Sequence, residues 1–566
     1  MTRPAPHALR PGSGHRFAAY LAGLLPSARD VRGLGRTWRT DLLAGLTVGI
    51  VALPLALGFG VSSGVSAEAG LVTAIIAGVL AAVFGGSNVQ VSGPTGAMVV
   101  VLLPIVATHG VGAVAAVSVM AGVIVLAAGA LRMGRAISFI PWPVIEGFTL
   151  GIAVIIFMQQ VPLIASPHQA AAGEHSSNAI VAAVQSLAGA DLAYMPWSLG
   201  AVLVVVAIML TAPRIHRALP GSLIGIIVVA VIAVVVHAPL AVIGTLPNTL
   251  PAPSLPTLDP GTLVDLVMPA LTVAALAAIE SLLSARVAAS MADTGAYDPD
   301  RELVGQGIAS IGSGLFGGMP ATGAIARTAV NVRSGGRTRL ASVFHALVLL
   351  TVVLVAAGPV GRIPLAALAG VLMITAVRMV RLQTMRSILR STRSDATGFI
   401  VTALVTVSVD LIVAVLIGVL CAGFFAIRNL SRATGIRREP ISGDAHPGDD
   451  RIAIIRFDGP LFFAAADRVF TAVTKVASVE VVILRMSQLE LVDATGAHIL
   501  SDIVQTLERR RVTVLIKGVQ PGHEDLFRTV GVLGSLRHHN HLFTAMDDAV
   551  DHARSHIDRN DAARSA

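Results

Sequence analysis

From about Asp41 to Ile427 the chain repeats one pattern: long apolar runs separated by short polar or arginine-bearing joints. About fourteen such segments can be marked, starting near Leu42, Leu71, Val91, Ala113, Ile137, Trp197, Gly221, Leu263, Leu303, Ala324, Ala341, Leu365, Thr397 and Leu411. A helix needs about 20 largely apolar residues to cross the hydrocarbon of a bilayer. Several fall short of that, among them Val91–Ala107 and Ala324–Val332. After Arg428 the period changes. Strand-like runs at Ile452–Phe457, Val481–Met486 and Val512–Ile516 alternate with helical stretches at Ala466–Val476, Gly496–Arg509 and Gly522–Val530. That alternation predicts a small soluble sheet with helices packed on it. The expected domains are an N-terminal tail (1–40), a transmembrane domain (41–428), a linker (429–450), the soluble α/β domain (451–555) and a frayed tail (556–566).

Composition agrees with the pattern. Hydrophobic residues make up 54% of the 566, charged residues only 13%, and mean hydropathy is +0.78. These values exclude a disordered chain and a purely soluble enzyme. The net charge of +8 does not read as nucleic-acid binding. Residues 431–566 carry 17 basic and 18 acidic side chains, so the excess belongs to the apolar part. There the arginines have a sidedness. With the N-terminus inside and each segment crossing once, the inside joints collect Arg132, Arg135, Arg214, Arg217, Arg286, Arg301, Arg333, Arg337, Arg339, Arg378, Arg381, Arg386, Arg390 and Arg393, and the outside joints only Arg362. Positive charge stays on the cytoplasmic side, which places both termini in the cytoplasm and the protein in the inner (plasma) membrane. No cleavable signal peptide is visible. The single cysteine, Cys421, excludes intrachain disulfides and thiolate metal sites.

Three features carry chemistry. The first is Glu280, inside the otherwise apolar stretch Leu266–Leu283. A carboxylate at that depth is costly unless paired, hydrated or protonated, so such groups handle ions or protons. Glu146, next to Pro141-Trp142-Pro143, is expected nearer the interface, in reach of water. The second is the pair of short segments, each preceded by a Gly/Pro-rich stretch: Gly85 to Gly96, and Gly317 to Thr328. They occupy the third and tenth positions, which correspond if the chain is two repeats of seven. An extended chain entering a half-helix leaves free backbone N–H groups and the positive end of a dipole. Two such entries facing each other mid-membrane make an anion site. The third is Arg327, about one turn into the second half-helix, which adds positive potential or bonds the anion directly; its competing reading is a side chain snorkelling to the cytoplasm.

The residues here resemble the SulP family, the sulfate-permease-like anion transporters whose animal relatives include prestin. The carrying motifs are Leu53-Pro54-Leu55-Ala56, Ser92-Gly93-Pro94-Thr95, Val144-Ile145-Glu146-Gly147-Phe148-Thr149, Glu280-Ser281-Leu282-Leu283 with Glu302-Leu303-Val304-Gly305-Gln306-Gly307, and Gly335-Gly336-Arg337-Thr338. Val492-Asp493-Ala494-Thr495-Gly496 resembles a STAS domain. The resemblance implies a polytopic α-helical membrane fold of about fourteen spans, a seven-plus-seven inverted repeat of the uracil-permease type, followed by the STAS domain. Spans one to four and eight to eleven would form a core moving against the rest, elevator-like, in a homodimer within the lipid bilayer. The implied substrate site is Leu55, Phe59, Ser92, Thr95, Gly323, Ala324, Ala326 and Arg327, with Glu280 and Ser284 for a coupling proton or sodium ion. Substrates in the family are small inorganic or carboxylate anions such as sulfate, bicarbonate and dicarboxylates. Many members have Gln where Leu55 stands, animal members have Ser where Ala326 stands, and sodium-coupled bicarbonate members have Asp where Glu280 stands. The longer Glu suits proton coupling better.

In the tail, Thr495 matches the phosphorylatable residue of stand-alone STAS relatives, a regulatory reading. The competing expectation is that Asp493 and Thr495 cap the following helix. His538, His539 and His541 read as a solvated polar turn, with no metal expected. No cofactor, nucleic-acid partner or enzymatic motif is expected. The leading reading is a secondary active anion symporter. Its alternatives are an anion exchanger and a membrane-anchored signalling protein with a STAS output. A nucleobase permease of the same fold fits neither the STAS tail nor Arg327.

Overall fold

The computed structural model describes residues 20–28, 30, 34–135, 140–165, 178–216, 219–256, 260–291, 293–295, 297–409, 411–433, 435–475 and 479–565. Residues 1–19 of the expected tail, Ile137 and Arg217 lie outside them. The chain forms two compact units, Met1–Val419 and Leu420–Ala566.

Each of the fourteen apolar segments contains a helix: α1 (Leu34–Ser62), α2 (Ala67–Phe84), α3 (Gly96–His109), α4 (Gly112–Ala130), α5 (Trp142–Gln159), α6 (Met195–Ile215), α7 (Gly221–Val235), α8 (Val267–Met291), α9 (Pro299–Leu315), α10 (Ile325–Arg333), α11 (Arg339–Gly361), α12 (Leu365–Met379), α13 (Arg393–Ser408) and α14 (Leu411–Ala433). Among the described residues, nine helices are long and apolar enough to cross a membrane. The short pair is α3, of 14 residues, and α10, of 9. Each follows a two-residue strand, β1 (Ser92–Gly93) before α3 and β2 (Thr322–Gly323) before α10. The order helix, helix, strand, short helix therefore occurs twice, in α1–α3 and α8–α10.

The helices sort into two packed sets. In one, α1, α2, α3, α4, α8, α9, α10 and α11 pack together; in the other, α5, α6, α7, α12 and α13 do. The sets meet where α1 touches α7 and α12 and where α3 touches α5. Lipid is as apolar as leucine, so such contacts are held by close packing rather than by expulsion of water. Small residues permit it: a Cβ on Gly122 of α4 would stand 2.7 Å from the Gly307 carbonyl oxygen of α9. Outward-facing leucines such as Leu203, Leu354, Leu404 and Leu416 are exposed, as a lipid-facing surface requires.

Polar clamps fix the loops at one end of this unit. Arg301 donates to both carboxylate oxygens of Asp30 at 2.8 Å, and Arg339 stands 3.5 Å from the same carboxylate. The hydrogen bond from Arg301 holds the Asp30 carboxyl down at about 2. The N-terminal segment thus shares a face with two of the arginines that the sequence assigns to the inside. Buried Asp41 accepts from the amides of Arg337 and Thr338 and the Thr338 hydroxyl, at 2.7, 3.1 and 2.7 Å, anchoring the loop after α10. Glu146 is itself buried, accepting from Arg381 at 2.9 Å and from the Trp142 ring N–H at 3.2 Å, two side chains that are exposed. Position along the chain could not reveal that partner, which is 235 residues away.

The second unit is a five-stranded sheet in the order β3 (Gly435–Glu439), β4 (Ile452–Leu461), β5 (Val481–Val492), β6 (Thr513–Lys517), β7 (Leu542–Phe543). Only the β3–β4 pair is antiparallel. Helices α15 (Ala466–Thr474), α16 (Ala494–Arg509), α17 (Pro521–Val530) and α18 (Met546–Ser565) complete it. Two expectations change here. The segment read as linker contains α14's last turn and the edge strand β3, whose charged residues conceal it: Glu439 pairs with Arg456 and Arg485 at 2.8 and 2.7 Å. Charged side chains are how edge strands avoid further pairing. The segment read as a frayed tail is the second half of α18. Ile557 is buried, and Asp561 pairs with Arg451 at 2.6 Å.

Candidate functional site

The strands β1 and β2 pair antiparallel, Ser92 opposite Gly323 and Gly93 opposite Thr322. The two short helices therefore start on either side of one strand crossing. The crossing is stitched at several points. The Ala324 amide donates to the Val91 carbonyl at 2.8 Å, the Val91 amide to the Thr328 hydroxyl at 3.0 Å, and Asn331 to the Val89 carbonyl at 2.8 Å. Thr95 and Ala324 are the N-cap residues, and neither caps its helix with a side chain. The first amides of α3 and α10 lack intrahelical partners by geometry. Ala has no group to offer them, and Thr95, of a type that usually caps, has turned its hydroxyl elsewhere.

That hydroxyl goes to Glu280. Thr95 and Thr322 both donate to Glu280 Oε2, at 2.8 and 2.7 Å, and their own oxygens are 3.1 Å apart. One carboxylate on α8 thus joins the last extended residue before α3 to the strand before α10. Among the described residues Glu280 Oε1 makes no hydrogen bond, and the residue is half-buried. Ser281, the next residue, accepts the Gly323 amide at 3.0 Å.

Arg327 does not snorkel. It is 1% exposed, the largest side chain so deeply buried. Its Nη2 donates to the Pro94 carbonyl, reaching from α10 across the crossing to the entry of α3. Its Nη1 is buried without a partner. Arg327 and Glu280 attract one another across this space. Gly93 lies under the guanidinium with φ +151, and a Cβ there would stand 2.7 Å from Nη1 and 3.3 Å from Ala74 Cα. A side chain is excluded both by conformation and by space. Gly93→Ala is expected to lower transport at least about tenfold, from strain of roughly 1–3 kcal/mol at the site, while leaving a monodisperse protein by size-exclusion chromatography.

The other residues expected at the site divide. Phe59 is buried on α1, its ring edge 3.3 Å from where a Cβ on Gly96 would stand, so it borders the entry of α3. Leu55, one turn earlier, is buried in the apolar core. Ala326 is exposed, and Ala324 is buried at the helix start. Ser92 faces away: Gln306 donates to its hydroxyl at 2.6 Å, and the same Gln306 donates to Glu302. Ser284, one turn past Glu280, meets the Thr328 hydroxyl at 3.3 Å rather than the carboxylate. Ser92 and Ser284 are thus supports for the crossing. Sequence reasoning gave no site role to Thr322, Ser281 and Glu302, although Ser281 and Glu302 stand in the motifs quoted above. Glu302 accepts the amides of Gly86 and Ser87 at 2.9 and 3.0 Å and so fixes the loop into β1. Thr322 had a signal: Thr95-Gly96 and Thr322-Gly323 are the same dipeptide in corresponding stretches.

In the tail, Asp493 caps α16, accepting the Gly496 amide at 2.7 Å, and also accepts the Phe463 amide at 3.1 Å. Thr495 makes no cap and is exposed.

A model of the sulfate permease family matches residues 38–402, and a STAS domain model matches residues 445–549. The chain belongs to the sulfate permease family. Members of this family are transporters rather than enzymes, and this one is a multi-pass membrane protein with a C-terminal STAS domain. It is 34% identical to the putative sulfate transporter YvdB of Bacillus subtilis over 90% of this chain and 97% of that protein. It is 30% identical to the bicarbonate transporter BicA of Picosynechococcus over 85% of this chain and 89% of that one. The solved structure of SLC26A9 superposes with a TM-score of 0.80 over 99% of both chains at 17% identity, a likeness of fold.

Proposed function

We propose that this sulfate permease family member is a secondary active symporter of a small oxyanion or carboxylate, with sulfate, bicarbonate and dicarboxylates as the substrate class. The observation that carries the reading is Glu280 joined to both half-helix entries beside two uncapped helix starts and the unpartnered Nη1 of Arg327. Partial positive charge at the helix ends and the guanidinium receive the anion. Glu280 Oε1 receives a proton or sodium ion, and the length of Glu favours the proton. Neutralising Glu280 removes the negative charge nearest the arriving anion, so the two bind with mutual help. Leu55, Phe59 and Ala326 then border the anion without charging it. The names of the relatives, sulfate and bicarbonate transporters, support the substrate class.

In this reading the set containing α1 to α4 and α8 to α11 carries the site past the set of α5 to α7 and α12 to α14, an elevator-like movement in a homodimer. The protein sits in the inner (plasma) membrane with both termini cytoplasmic, and Thr495 is the exposed position at which the STAS domain is modified.

Purified protein in proteoliposomes tests this. Labelled sulfate, bicarbonate and fumarate are each offered with an inward proton gradient, an inward sodium gradient, or neither. The expected result is uptake of one anion raised at least about tenfold by the proton gradient. Uptake that needs an anion inside the vesicle and ignores both gradients would replace the symporter with an exchanger. No transport of any anion under any condition would favour the signalling reading.

A further inference from the structure

His541 is not part of a solvated turn. It is 1% exposed, at the end of the short turn His539–His541 that leads into β7, and its ring faces His552 and His556 on α18. His552 and His556 are four residues apart, hence neighbours on one helix face, with ring centroids 5.0 Å apart. One ring nitrogen from each of the three lies within 4.8 Å of the other two. His541 Nδ1, His552 Nε2 and His556 Nε2 are all buried and lack hydrogen-bond partners. Three buried, unpartnered ring nitrogens in one cluster are costly as apolar packing, because each forfeits its hydrogen bond.

We propose that His541, His552 and His556 form a binding site for a divalent transition-metal ion of the zinc class in the STAS domain. Imidazole nitrogen suits zinc, copper and nickel, and no carboxylate or thiolate in the cluster selects a harder or softer ion. Tetrahedral zinc places its nitrogens about 3.3 Å apart, from bonds of about 2.0–2.1 Å. The three nitrogens, now within 4.8 Å of one another, would close to that value on binding an ion. The fourth position falls to water or to exposed His538, whose ring centroid is 5.4 Å from that of His541. Neutral imidazole is the form that binds metal. The ion would pin α18 to the β7 end of the sheet, where polar contacts at its other end already include Arg451 with Asp561 and Arg564 with Glu480. The site is independent of the transport reading, since every residue in it belongs to the second unit.

The test uses the full-length protein, purified without a histidine tag, stripped with a chelator and titrated with Zn2+ or Co2+. The expected result is one ion per chain, a Co2+ visible spectrum of a four-coordinate site, and slowed hydrogen exchange in α18 on metal addition. His552→Gln with His556→Gln, both half-exposed in the helix, lowers affinity at least about 100-fold. His539→Ala, an exposed neighbour, leaves binding unchanged and shows that surface histidines are not responsible. Absence of stoichiometric binding by the wild-type protein, or equal binding by the double variant, overturns the site.

Discussion

Glu280→Gln abolishes gradient-driven net uptake while anion exchange across the membrane persists. The amide keeps the shape of the carboxylate, and its oxygen in the place of Oε2 can still accept both threonine hydroxyls, so the crossing of β1 and β2 stays assembled. It cannot take up or release a proton, which fixes the site in its neutralised form. The expected loss of gradient-driven accumulation is at least about 50-fold, because a side chain that cannot exchange a proton removes the coupling step itself. Counterflow of labelled anion in vesicles preloaded with unlabelled anion checks folding and anion binding in the same preparation. Glu280→Asp separates charge from reach: a carboxylate withdrawn by one methylene titrates but no longer spans both hydroxyls. If Glu280→Gln accumulates anion under the gradient as the native protein does, the carboxylate is structural and the coupling group lies elsewhere.

Arg327→Lys raises the KM for the anion by about 100-fold. The guanidinium can do two things that an ammonium cannot do together: Nη2 holds the Pro94 carbonyl while Nη1, buried beside Gly93, is left without a partner. Lysine offers a single point charge, which can hold the carbonyl or meet an anion but does not present a fork that does both. A charge-assisted hydrogen bond to an anion is worth about 1.5–3 kcal/mol, or roughly one to two decades in affinity. Arg327→Gln loses the charge as well and leaves Glu280 without its opposing partner, so its defect is larger. Initial-rate uptake over a range of anion concentrations reads the effect; a lowered maximal rate with unchanged KM would assign Arg327 to holding the crossing together rather than to the substrate.

Much was legible because hydrophobic pattern and bilayer physics are local constraints. Apolar runs and arginine sidedness marked the fourteen segments, and the break in pattern after Arg428 marked the soluble domain. The two short segments stood out because a backbone that stops being helical inside a membrane must satisfy its polar groups in some special way. Glu280 and Arg327 stood out because charge at membrane depth is rare. What stayed hidden has one physical character: the side chain's partner is far along the chain. Ser92 reads like Thr95, two polar residues in one motif, yet alternation along extended chain turns them to different neighbours, Gln306 and Glu280. Glu146 and Asp41 are ordinary acids until Arg381 and the loop at Arg337–Thr338 close on them. β3 is a strand because β4 lies beside it, and its own composition is that of a linker. His541 reads as one of three histidines in a turn, while α18, which begins five residues later, carries the two that matter. The sequence by itself determined the class of protein, its division into membrane and soluble parts, and the two short segments that the structure brings together. Only the tertiary structure decided which hydroxyls, amides and ring nitrogens meet there, because those pairings join residues tens to hundreds of positions apart and follow from packing rather than from period.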